Sequence, residues 1–217
     1  MALSLTHLSR YHVEGNKFLE RIITGDETWV HYDTPETKRD SMTWKHFNSP
    51  PPRKFKFIPS AKKMMATVFW DYCGVLLVDF LPRGESVNAA HYCETLDRLR
   101  EAVRRKRPGL LSTGVILLHD NATPHTAEMT RNWLNQYKWD ILEHPPYSPD
   151  LAPSDFHLFG RLKQHLAGQH FKTDDALKDA VLQFLSQLDG YFYWDGIIAL
   201  VDRWDKCLNK FGDYVEK

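Results

Sequence analysis

Three aspartates stand at points where predicted secondary structure elements begin or end. Asp26 lies inside a predicted strand over residues 21–32, Asp120 directly follows a predicted strand over residues 115–119, and Asp155 starts a predicted helix. Neighbouring strands of a sheet lie roughly 4.8 Å apart, so Asp26 and Asp120 can share a cation if their strands pair. A helix that begins at Asp155 can bring a third carboxylate to the same edge.

Three carboxylates at one place repel each other and raise at least one pKa unless a cation neutralises them. Ligation by carboxylate oxygens alone suits Mg²⁺ or Mn²⁺ better than zinc. Two such ions, roughly 3.5 to 4 Å apart, activate an attacking oxygen and stabilise a leaving oxygen in phosphoryl transfer. The residue types are therefore compatible with a metal-dependent phosphoryl-transfer site.

Each aspartate also has an ordinary structural explanation. Asp120 is followed by loop-forming residues, Asp26 follows Gly25 and can belong to a turn, and Asp155 follows Ser154 as in many helix N-termini. Spacing alone does not choose between these explanations and metal binding.

The eleven histidines raise the possibility of a zinc site. His119, His125 and His144 flank the aspartates, but their spacing matches no common zinc ligand set. We therefore interpret His119 as a packing or outer-shell residue.

Hydrophobic periodicity predicts an α/β chain that folds as a single domain over residues 1–217. The predicted strands occupy 21–32, two segments within 63–82 that are joined by a turn near Gly74, 115–119 and 139–144. The predicted helices occupy 2–13, 88–109, 126–137, 154–168, 173–188 and 196–212. This order predicts a mixed sheet flanked by helices, with a long proline-rich loop or arm over residues 33–62 inserted between the first two strands.

Three segments carry a resemblance to a known family. They are "TGDETW" (24–29), "LLHDNATPH" (117–125) and "HPPYSPDLAPSDFHLF" (144–159), with 34 residues between the second and third aspartates. In this order and spacing the chain resembles the mariner transposases of the mariner/Tc1 superfamily. The resemblance continues to the C-terminal segment "FYWDGIIALVDRWDKCLNKFGDYVEK" and covers nearly the whole chain. Phe156 stands where the family usually has tyrosine.

The resemblance implies an RNase H-like fold with a catalytic and metal-binding triad of Asp26, Asp120 and Asp155. It implies Mg²⁺, replaceable by Mn²⁺, as the cofactor, with two ions at the site. The implied activity is cut-and-paste DNA transposition, in which the enzyme cleaves transposon ends and joins their 3′-hydroxyls to TA-containing target DNA. The implied partners are DNA and a second copy of the chain in a paired-end complex, and the implied location is the nucleus.

Charge gives no overall preference for nucleic acid, because 28 basic residues balance 28 acidic ones. Local cations are more informative. The arm combines cations with aromatic residues, and we expect DNA contacts from Arg53, Lys54, Lys56, Lys62 and Lys63. The run "RRKR" at 104–107 is compatible with a DNA-contact or nuclear-localisation patch, but its place in the last turn of a helix favours a solvated helix end.

Two expectations bear on the activity. About 20 residues precede the first strand, so we expect the N-terminal helix-turn-helix region of the family to be absent. A catalytically silent transposon-derived domain that serves DNA association or dimerisation is the alternative function, and the intact aspartate triad favours the enzyme.

Overall fold

The computed structural model describes residues 1–34, 62–82 and 84–216. Most of the predicted arm, with Arg53, Lys54 and Lys56, lies outside the described residues. At one end of the arm, Asp33 forms an isolated bridge with His170.

Five strands of the described residues form one mixed sheet with the order β3-β2-β1-β4-β5. The strands are β1 (Ile22–His31), β2 (Lys63–Asp71), β3 (Gly74–Phe80), β4 (Ile116–Leu118) and β5 (Asp140–Ile141). The pairs β1/β2 and β2/β3 are antiparallel, whereas β1/β4 and β4/β5 are parallel. The predicted α/β class and the RNase H-like mixed sheet are confirmed.

Helices cover both faces of this sheet. They are α1 (Ala2–Glu14), α2 (Asn16–Leu19), α3 (Ala89–Lys106), α4 (Leu110–Thr113), α5 (Thr123–Thr126), α6 (Glu128–Tyr137), α7 (Gly160–Leu166), α8 (Asp174–Gln187) and α9 (Gly190–Asn209). A short 3₁₀ turn, Pro149–Leu151, and a π-helix, Ser154–Phe159, precede α7. Within the described ranges, no helix is long and apolar enough to cross a membrane.

Two predicted helices differ from those observed. The segment predicted as one helix from residue 154 begins as a π-helix and becomes α-helical only at Gly160. The last helix starts at Gly190 and not at residue 196, because Oδ1 of Asp189 accepts a hydrogen bond of 2.8 Å from the Phe192 N–H and caps it there. Helical periodicity alone did not reveal this cap.

The hairpin of β2 and β3 is anchored by a buried ion pair. Asp71 is fully buried, and its Oδ2 and Oδ1 accept hydrogen bonds from Nε and Nη2 of Arg107 at 2.7 and 2.8 Å. Asp71 Oδ1 also accepts the N–H groups of Cys73 and Gly74 in the turn. The solvated-face interpretation of "RRKR" is therefore wrong for Arg107, although the exposed Arg104 pairs with Glu101 on its own helix.

Alternate side chains of β1 enter two different hydrophobic clusters. Ile22 and Val30 pack with the cluster under α7, α8 and α9, whereas Ile23 packs with the cluster under α3 and α6. Because side chains of a strand alternate between faces, Asp26 shares the face of Ile22, and Glu27 shares that of Ile23. The two neighbouring carboxylates of β1 thus belong to opposite sides of the sheet.

The ring of Phe69, the partner of Gly25 on β2, leaves no room for a side chain at position 25. A Cβ at Gly25 would lie 2.1 Å from Cε1 of that ring. We expect Gly25→Ala to lower the free energy of unfolding by about 1–3 kcal/mol, the usual cost of overpacking a core. Chemical denaturation measures this change.

Gly160→Ala is the matched control. Apart from its chain neighbours and the backbone of its own helix, no atom of the described residues lies within 4 Å of a Cβ at Gly160, which starts α7. Since alanine favours helices over glycine by up to about 1 kcal/mol, this variant should be neutral or more stable. Equal effects of the two substitutions would contradict the steric explanation.

Candidate active site

Strand pairing sets Asp26 and Asp120 at one level of the sheet. In the parallel pair of β1 and β4, Ile22 lies opposite Ile116 and Thr24 lies opposite Leu118. Asp26 follows Thr24 by two residues and still lies within β1. Asp120 follows Leu118 by two residues and lies in the loop beyond β4. The carboxyl ends of parallel strands are where open α/β sheets commonly place their functional groups.

Asp155 lies on the π-helix, and a buried hydrogen bond connects this helix to the sheet. Nε1 of Trp70, on β2, donates to Oγ of Ser154 at 3.1 Å. The helix N-cap is Pro153 and no side chain caps the helix, so the capping explanation of Asp155 is wrong. The carboxylate of Asp155 instead lines a cleft.

The cleft has a volume of about 630 Å³ and is lined by all three aspartates. Its other walls come from Glu27, from the loop after β4 and from the loop that precedes the π-helix. The amide of Asn121 joins these two loops, because its Nδ2 donates to the backbone oxygen of His144 at 2.5 Å. Three segments distant in sequence thus meet around one opening.

The carboxylates that line the cleft repel one another. Burial and the negative charges of Asp155, Glu27 and Asp120 together raise the pKa of Asp26 to about 8, against the opposing effect of the Glu27 N–H, which donates to its Oδ1 at 2.7 Å. Burial also raises the pKa of Asp155, and Asp120 adds to this rise against the opposing effect of Lys163. Without a cation, Asp26 therefore holds a proton at neutral pH.

Asp120 has the opposite electrostatic character. Burial alone would raise its pKa, but hydrogen bonds from the His125 ring and the Ala122 N–H, together with the charge of His125, lower the pKa below its ordinary value. The side chain is 43% exposed. Asp120 is therefore ionised at neutral pH, beside a protonated Asp26.

The histidines near the cleft are bound to protein groups. Nδ1 of His119 lies 2.8 Å from the Tyr92 hydroxyl, and burial and the neighbouring His125 lower the His119 pKa to about 3. Nδ1 of His125 lies 2.6 Å from Oδ1 of Asp120. Among the described residues, no three His, Cys, Asp or Glu side chains lie close enough, as positioned, to surround one ion.

Comparison with known proteins places this geometry in a family. The family profile described as "Transposase (partial DDE domain)" matches residues 34–113. The mariner Mos1 transposase of Drosophila mauritiana is 41% identical over 211 residues, which are 96% of this chain and 60% of that protein. The crystal structure of the Mos1 mariner paired-end complex with Mn has a TM-score of 0.91 at 39% identity, covering 98% of this chain and 61% of that one.

The crystal structure of the Mos1 catalytic domain matches over nearly the whole of both chains. It has a TM-score of 0.81 at 38% identity and covers 98% of this chain and 92% of that one. The chain belongs to the mariner transposase family. It spans about 60% of the length of the full-length Mos1 relative.

Two residues of this mariner cleft were missed by the sequence analysis. Glu27 follows Asp26 directly, and His125, which we had considered only as a possible zinc ligand, contacts Asp120. Nε2 of His125 lies 3.4 Å from Oε1 of Glu27. The motifs "DE" and "HDNATPH" contain both residues, but no local pattern indicates that positions about 100 residues apart meet.

The two described cations of the predicted DNA-contact set lie elsewhere on the mariner domain. Lys62 and Lys63 line a separate hollow of about 370 Å³ together with Trp29. Nζ of Lys63 lies 3.9 Å from the centre of the Trp29 ring, a cation–π contact. This hollow lies where the chain returns from the arm into β2.

The raised pKa of Asp26 predicts a pH-dependent stability. An ordinary aspartate ionises near pH 4 and Asp26 near pH 8, so the folded state loses stability as pH rises between these values. In EDTA, Asp26→Asn should therefore melt at a higher temperature than the wild type at pH 9, with a much smaller difference at pH 5.

The control for this experiment is Asp179→Asn, on the exposed face of α8. Its melting temperature should differ from that of the wild type by the same small amount at both pH values. A gain for Asp26→Asn that does not grow with pH would contradict the assignment of a buried, proton-binding Asp26.

Proposed function

We propose that this chain is the catalytic domain of a metal-dependent DNA transposase. It cleaves DNA at transposon ends and joins the 3′-hydroxyl ends to TA-containing target DNA by in-line phosphoryl transfer. One observation carries the proposal: Asp26, Asp120 and Asp155 line one cleft, two of them at the same level of paired parallel strands. Membership of the mariner family, with the match to the Mos1 catalytic domain, supports the reaction class.

The same aspartates are the proposed ligands of Mg²⁺ or Mn²⁺, with two ions at the site. The donor set fits these ions, since it consists of carboxylate oxygens whose repulsion a divalent cation would relieve. That repulsion contributes to the raised pKa values of Asp26 and Asp155. When bound, the ions would activate the attacking oxygen and neutralise charge on the leaving oxygen.

The protein contributes rigidity and orientation to this chemistry. Asp26 belongs to the central strand, and Asp120 is held through Oδ1 by two hydrogen bonds. The Trp70–Ser154 hydrogen bond fixes the start of the helix that carries Asp155. A π-helix at this point is typical of functional sites, because it places side chains where an α-helix would not.

DNA is the proposed partner, and a homodimer in a paired-end complex is the proposed assembly. The Mos1 relative has been solved as a paired-end complex, which supports the dimer for this chain. Arg53, Lys54, Lys56, Lys62 and Lys63 remain the proposed phosphate contacts. A chromosomal DNA substrate implies action in the nucleus.

Cleavage assays with each ligand variant test the function. The substrate is a duplex with a mariner terminal repeat, incubated with Mg²⁺, with Mn²⁺ or with EDTA. Asp26→Ala, Asp120→Ala and Asp155→Ala should each reduce metal-dependent cleavage at least roughly a hundredfold, since even outer-shell changes at metal sites cost 10–100-fold. Wild-type protein that does not cleave with either ion would support the catalytically silent alternative.

Asp155→Ala and Asp189→Ala separate catalysis from helix capping. Asp189 is a true cap, which accepts the Phe192 N–H, whereas no side chain caps the helix of Asp155. We expect Asp189→Ala to cost about 1 kcal/mol of stability and to leave cleavage intact. Asp155→Ala should leave the melting temperature in EDTA unchanged or raised, and abolish cleavage. Surviving cleavage in Asp155→Ala would refute its role as a ligand.

A further inference from the structure

His125 occupies a fixed position behind the cleft. Only 3% of the residue is exposed, and its ring lies against two other rings. The ring centroid is 4.1 Å from that of Tyr92 and 5.1 Å from that of His119, to which it is nearly parallel. The short helix α5, which begins at Thr123, carries it directly after the loop of Asp120. The imidazole therefore has little freedom to rotate.

Each nitrogen of this ring faces a carboxylate. Nδ1 donates to Oδ1 of Asp120 at 2.6 Å, and Nε2 lies 3.4 Å from Oε1 of Glu27, without the geometry of a hydrogen bond. Glu27 is itself held on β1 and accepts a long hydrogen bond of 3.5 Å from the Thr67 hydroxyl on β2. The ring thus connects the central strand to the loop that ends β4.

The hydrogen bond from His125 determines which carboxylate oxygen of Asp120 is available to bind a ligand. Oδ1 accepts hydrogen bonds from both the Ala122 N–H, at 2.9 Å, and the His125 ring. No described residue donates a hydrogen bond to Oδ2. Rotation about the last bond of an aspartate is soft, so an unsupported carboxylate would sample many orientations. Outer-shell partners that remove this freedom raise metal affinity.

We propose that His125 is the positioning residue of Asp120, whose Nδ1–H fixes Oδ1 so that Oδ2 is presented to a divalent cation in the cleft. This rests on the proposed function, since it takes Asp120 as a ligand of Mg²⁺ or Mn²⁺. Glu27, Tyr92 and His119 hold the imidazole in turn. A purely structural histidine would matter for the volume of its ring and not for its Nδ1 donor.

Two substitutions separate the donor from the ring. The side-chain nitrogen of His125→Asn takes the place of Nδ1 and can still donate to Asp120. The nitrogen of His125→Gln extends towards the place of Nε2 and Glu27, and cannot make that hydrogen bond. Both variants lose the ring, and the smaller asparagine leaves the larger cavity, so packing alone predicts that His125→Asn is the worse variant.

The measurements are Mn²⁺ affinity by calorimetry without DNA, and melting temperature in EDTA. We expect His125→Gln to bind Mn²⁺ roughly 10–100-fold more weakly than wild type, as outer-shell losses do, and His125→Asn to stay within roughly fivefold. His125→Asn should nevertheless melt at the same temperature as His125→Gln or lower. Metal affinity and stability would then rank the two variants differently.

The outcomes are distinguishable. Wild-type protein that binds Mn²⁺, with equal affinities in the two variants or weaker binding by His125→Asn, would overturn the positioning role and leave the proposed function standing. Wild-type protein that does not bind Mn²⁺ would overturn the metal assignment of the proposed function, and the positioning role with it.

Discussion

The in-register parallel pairing of β1 with β4 is the constraint on which the rest of the site depends. It places Asp26 beside Asp120, because both follow paired residues of the two strands by the same number of positions. The pairing of β1 with β2 imposes a second condition, since the ring of Phe69 occupies the space above Gly25. A side chain at Gly25 would displace the strand next to the first carboxylate. Packing and the position of the first carboxylate are therefore linked at one backbone position.

A cluster of carboxylates is unfavourable in an empty site, and the fold distributes this cost unevenly. Asp120 receives two hydrogen bonds, which favour its ionised form, whereas Asp26 is buried among like charges and retains a proton. Binding of a divalent cation would release that proton, so metal affinity should be coupled to pH. Strained electrostatics of this kind are typical of functional sites, where stability is sacrificed for binding.

Segments far from the three aspartates also support the cleft. Asp150 is buried in the 3₁₀ turn beside the cleft, and its Oδ2 accepts the N–H of Val215 at 2.7 Å. Arg203, on α9, donates to the backbone oxygen of Asp150, and the hydroxyl of Tyr214 donates to that of Tyr147. The last helix and the residues that follow it therefore fix the loop between β5 and Asp155. A change in this region would alter the cleft without contacting Asp26, Asp120 or Asp155.

The sequence by itself determined the local features of this protein. Alternation of apolar residues predicted the strands, and three quoted motifs singled out Asp26, Asp120 and Asp155 as the proposed ligands, because such patterns depend on neighbours along the chain. The π-helix, the Trp70–Ser154 bond and the contact of His125 with Glu27 depended on the tertiary structure. Each of these features depends on contacts between parts of the chain that are distant in sequence, and sequence spacing does not encode such contacts. Which oxygen of Asp120 accepts hydrogen bonds, and which aspartate holds a proton, follow from contacts, burial and charge in three dimensions, and only the folded chain decides them.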